Sequence, residues 1–109
     1  GYVVLCDDPV VFDSLYPGVS CIGGFDYGLG GGGDFIALFD AQDTEIDSLE
    51  YDDKAPWPTE PDGDGATLEL IDPLFDNALA TSWAASSGNG TPGVVNDAQL
   101  LSGSGYRNR

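Results

Sequence analysis

The sequence predicts an all-β domain of the sandwich type. Three observations point there. Short apolar or alternating runs recur at 2–6, 19–25, 34–40, 46–52 and 66–72. Glycines and prolines, 16 and 7 of them, punctuate those runs at intervals typical of sandwiches. Helical spacing of apolar residues is clear in one short segment alone.

Residues 2–6, YVVLC, are rich in β-branched side chains and predict a buried strand. Asp8 and Pro9 supply an N-cap and a first-turn proline, and Phe12, Leu15 and Tyr16 fall at helical spacing. A short helix is therefore expected over 9–16, ended by Pro17 and Gly18. Residues 19–25, VSCIGGF, predict a second strand. The glycine-rich stretch 27–34 predicts a turn. It is no phosphate loop, because neither Lys nor Ser/Thr follows the glycines and no helix is expected beyond them.

Residues 34–40, DFIALFD, are apolar on both faces and predict a central strand. Residues 46–52, IDSLEYD, predict a half-exposed partner across a short turn, giving a hairpin. Residues 54–65 hold Pro56, Pro58 and Pro61 and predict irregular chain. In 66–72, Leu68 and Leu70 share one face and Thr67 and Glu69 the other. Residues 73–87 read as one turn of helix or as an irregular crossing that plants Trp83 in the core. Residues 86–93 form a turn cluster. The chain contains no internal repeat.

Composition narrows the function. Nineteen acidic residues against three basic ones give a formal charge of -16. Such a chain has no means of displacing counterions from nucleic acid or of adhering to anionic lipid. No apolar run reaches the roughly 20 residues that span a bilayer, and no signal peptide is predicted. With no His, Ser-His-Asp and Cys-His catalysis and His-ligated zinc are excluded. The hydrophobic share of 41% is too large for a disordered acidic tail. Cys6 and Cys21 read as a disulfide, with two free cytosolic thiols as the alternative. A disulfide places the protein outside the cell or at its surface.

A longer pattern runs through these pieces. It comprises a strand ending in Tyr51, Pro56-Trp57-Pro58, a D-G-D-G turn before T-L-E-L, Asp72-Pro73, Asp76-Asn77, Trp83, Gly90-Thr91-Pro92-Gly93 and Asn96. Upstream lie GYVVLCDDPVVFDSLYPG and GLGGGGDFIALFDAQ. Together they resemble the lamin-tail domain in its bacterial and secreted form, over residues 1–96. The resemblance implies an immunoglobulin-like β-sandwich, with 97–109 as a C-terminal tail outside it. The family's opening strands, marked by N-E…W-I-E-L-x-N and G-W-x-L-S-D patterns, have no counterpart here, so the sandwich is expected to be incomplete. The family brings no catalytic residues, and its members serve as interaction modules of filament proteins or as accessory domains of secreted and surface proteins.

Five groups of candidate site residues follow. Asp62 and Asp64, in the D-G-D-G turn, are the candidate calcium ligands. Pro73 occupies loop position 12, where an EF-hand needs a bidentate Glu, which favours a plain turn. The pairs Asp7-Asp8 and Asp52-Asp53 offer a glycosidase-like acid and base, but pairs of this kind arise by chance in so acidic a chain. Trp57 reads as a plug over the open end of the sandwich, or else as an exposed platform for a sugar. Asn89 begins an N-glycosylation sequon. Val94, Val95, Leu100 and Leu101 mark a strand, 94–101, that could be donated to a neighbour near 2–6. The expected function is a non-catalytic extracellular structural module, a subunit of a filament or surface layer held by strand pairing between chains. Identical subunits or a missing N-terminal segment are the expected partners, and no cofactor is required. The alternative is an accessory binding domain of a secreted hydrolase or surface protein.

Overall fold

The computed structural model describes residues 1–25 and 28–102, without the side chains of 100–102. The glycine-rich expectation at Tyr27 and the tail 103–109 lie outside the described residues. The fold is β-rich, with three two-stranded sheets and little helix.

The first unit is β1 (Leu5–Cys6), α1 (Pro9–Leu15) and β2 (Ile22–Gly23). The strands pair in parallel, Leu5 opposite Ile22 and Cys6 opposite Gly23. Parallel neighbours need a crossover of about a dozen residues, which α1 supplies. Asp8 caps the helix, accepting from the N–H groups of Val10 at 2.9 Å and Val11 at 3.3 Å, and Pro9 sits in the first turn. The Cys6–Cys21 disulfide then ties the two strands together. The strand expected over 2–6 is shorter than predicted. Only Leu5 and Cys6 find a partner strand, because β2 contributes just two residues to the ladder.

The second unit is the hairpin of β3 (Gly33–Phe39) and β4 (Glu45–Asp52), antiparallel from Gly33 opposite Asp52 to Phe39 opposite Glu45. Asp40 builds its turn: the carboxylate accepts from Gln42 N–H at 2.8 Å and Thr44 N–H at 3.0 Å. Gly33 is required at the hairpin's open end. Its φ is +129°, and a Cβ there would lie 2.7 Å from the Tyr51 carbonyl oxygen. β3 was expected to be central, yet among the described residues no strand other than β4 pairs with it.

The third unit pairs β5 (Leu68–Leu70) with β6 (Trp83–Ala85), Leu70 opposite Trp83. A single 3₁₀ turn, Ala80–Ser82, leads into β6, which settles the ambiguous stretch 73–87. Residues 54–65 are turns, as their prolines require. The last element is α2 (Asp97–Ser102). The expectation of an extended 94–101 is corrected here: Val94 and Val95 lie in a loop and the chain turns helical from Asp97. Ala98, Gln99 and Leu100 are good helix formers, and β5 supplies a cap for the helix's exposed N–H groups.

Burial assigns the faces of β5. The alternation in 66–72 is real, but its polar side is the covered one. Glu69 is 5% exposed while Leu68 and Leu70 are half-buried. Among the described residues, the buried hydrophobic side chains are Cys6 and Ala98. Large apolar residues on α1 and on both faces of β3 remain exposed. Trp83 of β6 packs against the surrounding loops: its ring lies tilted beside that of Trp57 at 6.2 Å, and its indole N–H donates to the Asn77 carbonyl at 2.9 Å.

Candidate binding site

The open end of the hairpin carries the most structured surface feature. Asp34 accepts from Gly30 N–H at 2.9 Å and from Phe35 N–H at 2.8 Å. These two backbone donors, Gly30 first, hold its carboxyl below the usual carboxylate range. Tyr51, opposite Asp34 in the register, donates its hydroxyl to the Gly30 carbonyl at 2.6 Å. Burial pushes the Tyr51 hydroxyl's pKa up, and the Asp34 charge adds to the rise. The glycine-rich loop is thus pinned back onto the hairpin at both polar groups of Gly30.

Beside this clamp lies a cleft of about 690 Å³, lined among others by Asp34, Phe35, Glu50, Tyr51, Asp52 and Trp57. Its walls offer aromatic rings and carboxylates. Lys54 stands outside the lining and pairs with Asp53 at 3.1 Å, an exposed contact of small energetic weight. The cleft therefore suits a cation or a hydrogen-bond donor rather than an anion. Trp57, half-buried, is both a wall of this cleft and a tilted neighbour of Trp83.

The other candidate residues are scattered. Asp62 and Asp64 are exposed in their turn, and among the described residues no group of three or more His, Cys, Asp or Glu is placed to hold a metal ion. Asp8 is occupied as the α1 cap, and Asp52 accepts from the N–H groups of Asp53 and Lys54. Asn89 is exposed in a turn, where its carbonyl accepts from the Tyr16 hydroxyl. Gly90 beside it has φ +91°, and a Cβ there would meet the Thr67 side chain at 2.8 Å. Val94 is exposed, and Val95 is half-buried with its carbonyl accepting from Thr91 Oγ1 at 3.0 Å. Leu100 and Leu101 belong to α2 by their backbone, and their side chains lie outside the described residues.

Sequence reasoning missed a clasp between β5 and α2. Glu69 Oε1 accepts from Ala98 N–H at 3.1 Å, and Asn96 Nδ2 donates to the Leu70 carbonyl at 2.9 Å. Ser87 Oγ donates to Asp97 at 3.1 Å. Desolvation raises the Glu69 pKa, the Asp97 charge raises it further, and the hydrogen bonds from Ala98 and Thr67 oppose the rise. A carboxyl raised in the folded state stabilises the fold below its ordinary range, and that contribution is lost as pH climbs through the folded value. The docking of α2 is therefore expected to tighten on acidification from neutral pH. Glu69→Gln keeps the acceptor and removes the charge. Its melting temperature should exceed that of the unmodified chain at neutral pH, and the gap should close near pH 4. A gap that stays constant in a thermal melt series across pH contradicts this.

The class defined by fold and site is a small, acidic, disulfide-linked, β-rich module with an open hairpin. The disulfide is consistent with an oxidising, extracellular environment. Among the described residues no helix is long and apolar enough to cross a membrane. Comparison with protein-family models, with curated proteins and with solved structures finds no match to this chain.

Proposed function

We propose that the protein is a non-catalytic extracellular structural module with an immunoglobulin-like sandwich of lamin-tail type. In this reading it is held in a filament or surface layer by strand pairing with other chains, identical subunits among them. The observation that carries it is the β3–β4 hairpin. Its outer edges have no partner strand among the described residues, and the apolar side chains of β3 remain exposed. Edges of this kind recruit further strands.

Charge sets the conditions for assembly. Copies carrying -16 repel each other unless salt or a divalent cation screens them. Assemblies above 11.4 kDa are expected to grow with ionic strength and to weaken at low salt or with a chelator. Light scattering across a salt series, with and without calcium, checks this. A particle of monomer mass under every condition, or one indifferent to both variables, overturns it.

The alternative reading, an accessory binding domain, draws on the cleft beside Trp57. It predicts ligand binding by the isolated monomer, without any change in mass.

A further inference from the structure

The two faces of β3 have different surroundings. Residues opposite each other across the ladder share a face. Ile36, Leu38 and Leu49 therefore lie on one face, and they line a groove of about 250 Å³ with Leu70 and Trp83. Phe35, Ala37 and Phe39 lie on the other, where Phe35 is 57% and Phe39 52% exposed.

The same three residues present the free edge. Asp40 N–H donates to the Thr44 carbonyl, which makes that pair a hydrogen-bonded one. Antiparallel pairs alternate, so Phe39 opposite Glu45 is a non-bonded pair whose polar groups point outward. Past the irregularity between Leu38 and Phe39, the pairs of Ala37 with Ser48 and Phe35 with Glu50 follow the same pattern. The Phe35 N–H confirms it by turning to the Asp34 side chain. Among the described residues, this row of β3 thus offers outward backbone groups with no partner strand, the Phe35 N–H being held by Asp34, beside the exposed rings of Phe35 and Phe39.

The charge beside this row is negative. Glu50 lies across the ladder from Phe35, Asp52 from Gly33 and Glu45 from Phe39. At the Phe35 end the row runs into the cleft walled by Trp57, Glu50 and Asp52. A cationic side chain laid there meets ring faces and carboxylates together. The 109 residues of a second copy hold no such strand. Its basic residues are Lys54, paired with Asp53, and Arg107 and Arg109, and none alternates with apolar residues over a strand's length.

Building on the strand-pairing reading above, we propose that the β3 edge receives an extended basic segment of a different chain, with Lys or Arg alternating with apolar residues. Its backbone pairs with the outward groups of Ala37 and Phe39 and with the Phe35 carbonyl, and one cationic side chain enters the Trp57 cleft.

The test uses the whole chain and two blocked heptapeptides, one alternating Val with Lys and one alternating Val with Glu. Calorimetry at low and high salt gives affinity, and amide exchange at Ala37 and Phe39 reports the edge. The Val/Lys peptide is expected to bind at least about tenfold tighter than the Val/Glu peptide, to weaken with salt and to protect both amides. Glu50→Gln with Asp52→Asn should weaken it by about tenfold. Ala37→Pro should abolish binding while keeping the hairpin, because the Ala37 N–H faces away from β4. If circular dichroism shows that this variant fails to fold, amide protection in the unmodified chain decides instead. Binding without protection at Ala37 and Phe39, or binding that survives in a folded Ala37→Pro chain, overturns the proposal. Equal binding of the two peptides overturns the basic partner and leaves strand pairing standing. If neither peptide binds while the chain self-associates in high salt, only this inference falls. If neither peptide binds and the chain stays monomeric, both readings fall.

Discussion

Replacing Cys6 and Cys21 together by Ala is expected to lower stability by about 3 kcal/mol, the loop-entropy value for a link across some 15 residues. The sequence separation of the bridge is 15. The β1–β2 ladder has two residue pairs, and the side chains along α1 leave Val10, Val11 and Leu15 exposed. The half-buried ring pair of Phe12 and Tyr16, at 5.0 Å, and the Tyr16 bond to Asn89 add to what the bridge holds. Small domains have only about 5–15 kcal/mol of stability in all, so the loss should show as early melting of residues 1–25. Urea unfolding followed by tryptophan fluorescence and by circular dichroism checks this. The two probes should separate, since Trp57 and Trp83 report the other units. A change within about 0.5 kcal/mol, the range of neutral surface substitutions, would mean that the bridge ties nothing that the fold does not already hold.

Trp83→Ala is expected to cost about 3 kcal/mol, the low end for a large aromatic side chain, because Trp83 is half-buried. Its ring is the junction of the molecule. It pairs with Leu70 across the ladder, packs tilted beside Trp57 and lines the groove shared with Ile36 and Leu38. Trp83→Phe keeps most of that area and loses the indole bond to Asn77, at a cost of about 1 kcal/mol. Ordered losses of this kind, read from denaturant midpoints, support the junction role. Equal losses for Ala and Phe would assign the effect to the single hydrogen bond. Loss of Trp83 should also disturb the cleft, since Trp57 forms its wall and leans on Trp83.

Much of the local structure was legible in the sequence. Asp8-Pro9 announces a helix start, and the helix begins at Pro9. The runs around Phe35 and Leu49 differ in polarity, are separated by a turn-forming Asp40 segment, and pair as a hairpin. Three prolines keep 54–65 irregular. In each case the deciding physics lies within a few residues: a cap, a fixed φ, a period of two. The Cys6–Cys21 link was also legible, because two cysteines allow one pairing within a chain.

The candidate site was less legible. Asp34, Phe35, Glu50 and Trp57 are ordinary residues of strands and loops, and no spacing groups them. They meet because the β3–β4 register sets Phe35 opposite Glu50 and because the loop after Asp52 returns Trp57 to the hairpin's end. Glu69 shows the same division. Its alternation with Leu68 and Leu70 follows from strand geometry, which any strand imposes on its own residues. Which side of β5 is covered depends on where α2 lands, and α2 covers the Glu69 side, capping its own first turn with that carboxylate. The sequence by itself determined the helix start, the hairpin and the acidic, His-free chemistry, since these depend on near neighbours and composition. Only the tertiary structure decided that α2 is a docked helix rather than an extended tail. It alone brought Ile36 and Leu38 to a groove shared with Trp83 and left apolar side chains exposed on both faces of β3, because coverage is a property of elements distant in sequence.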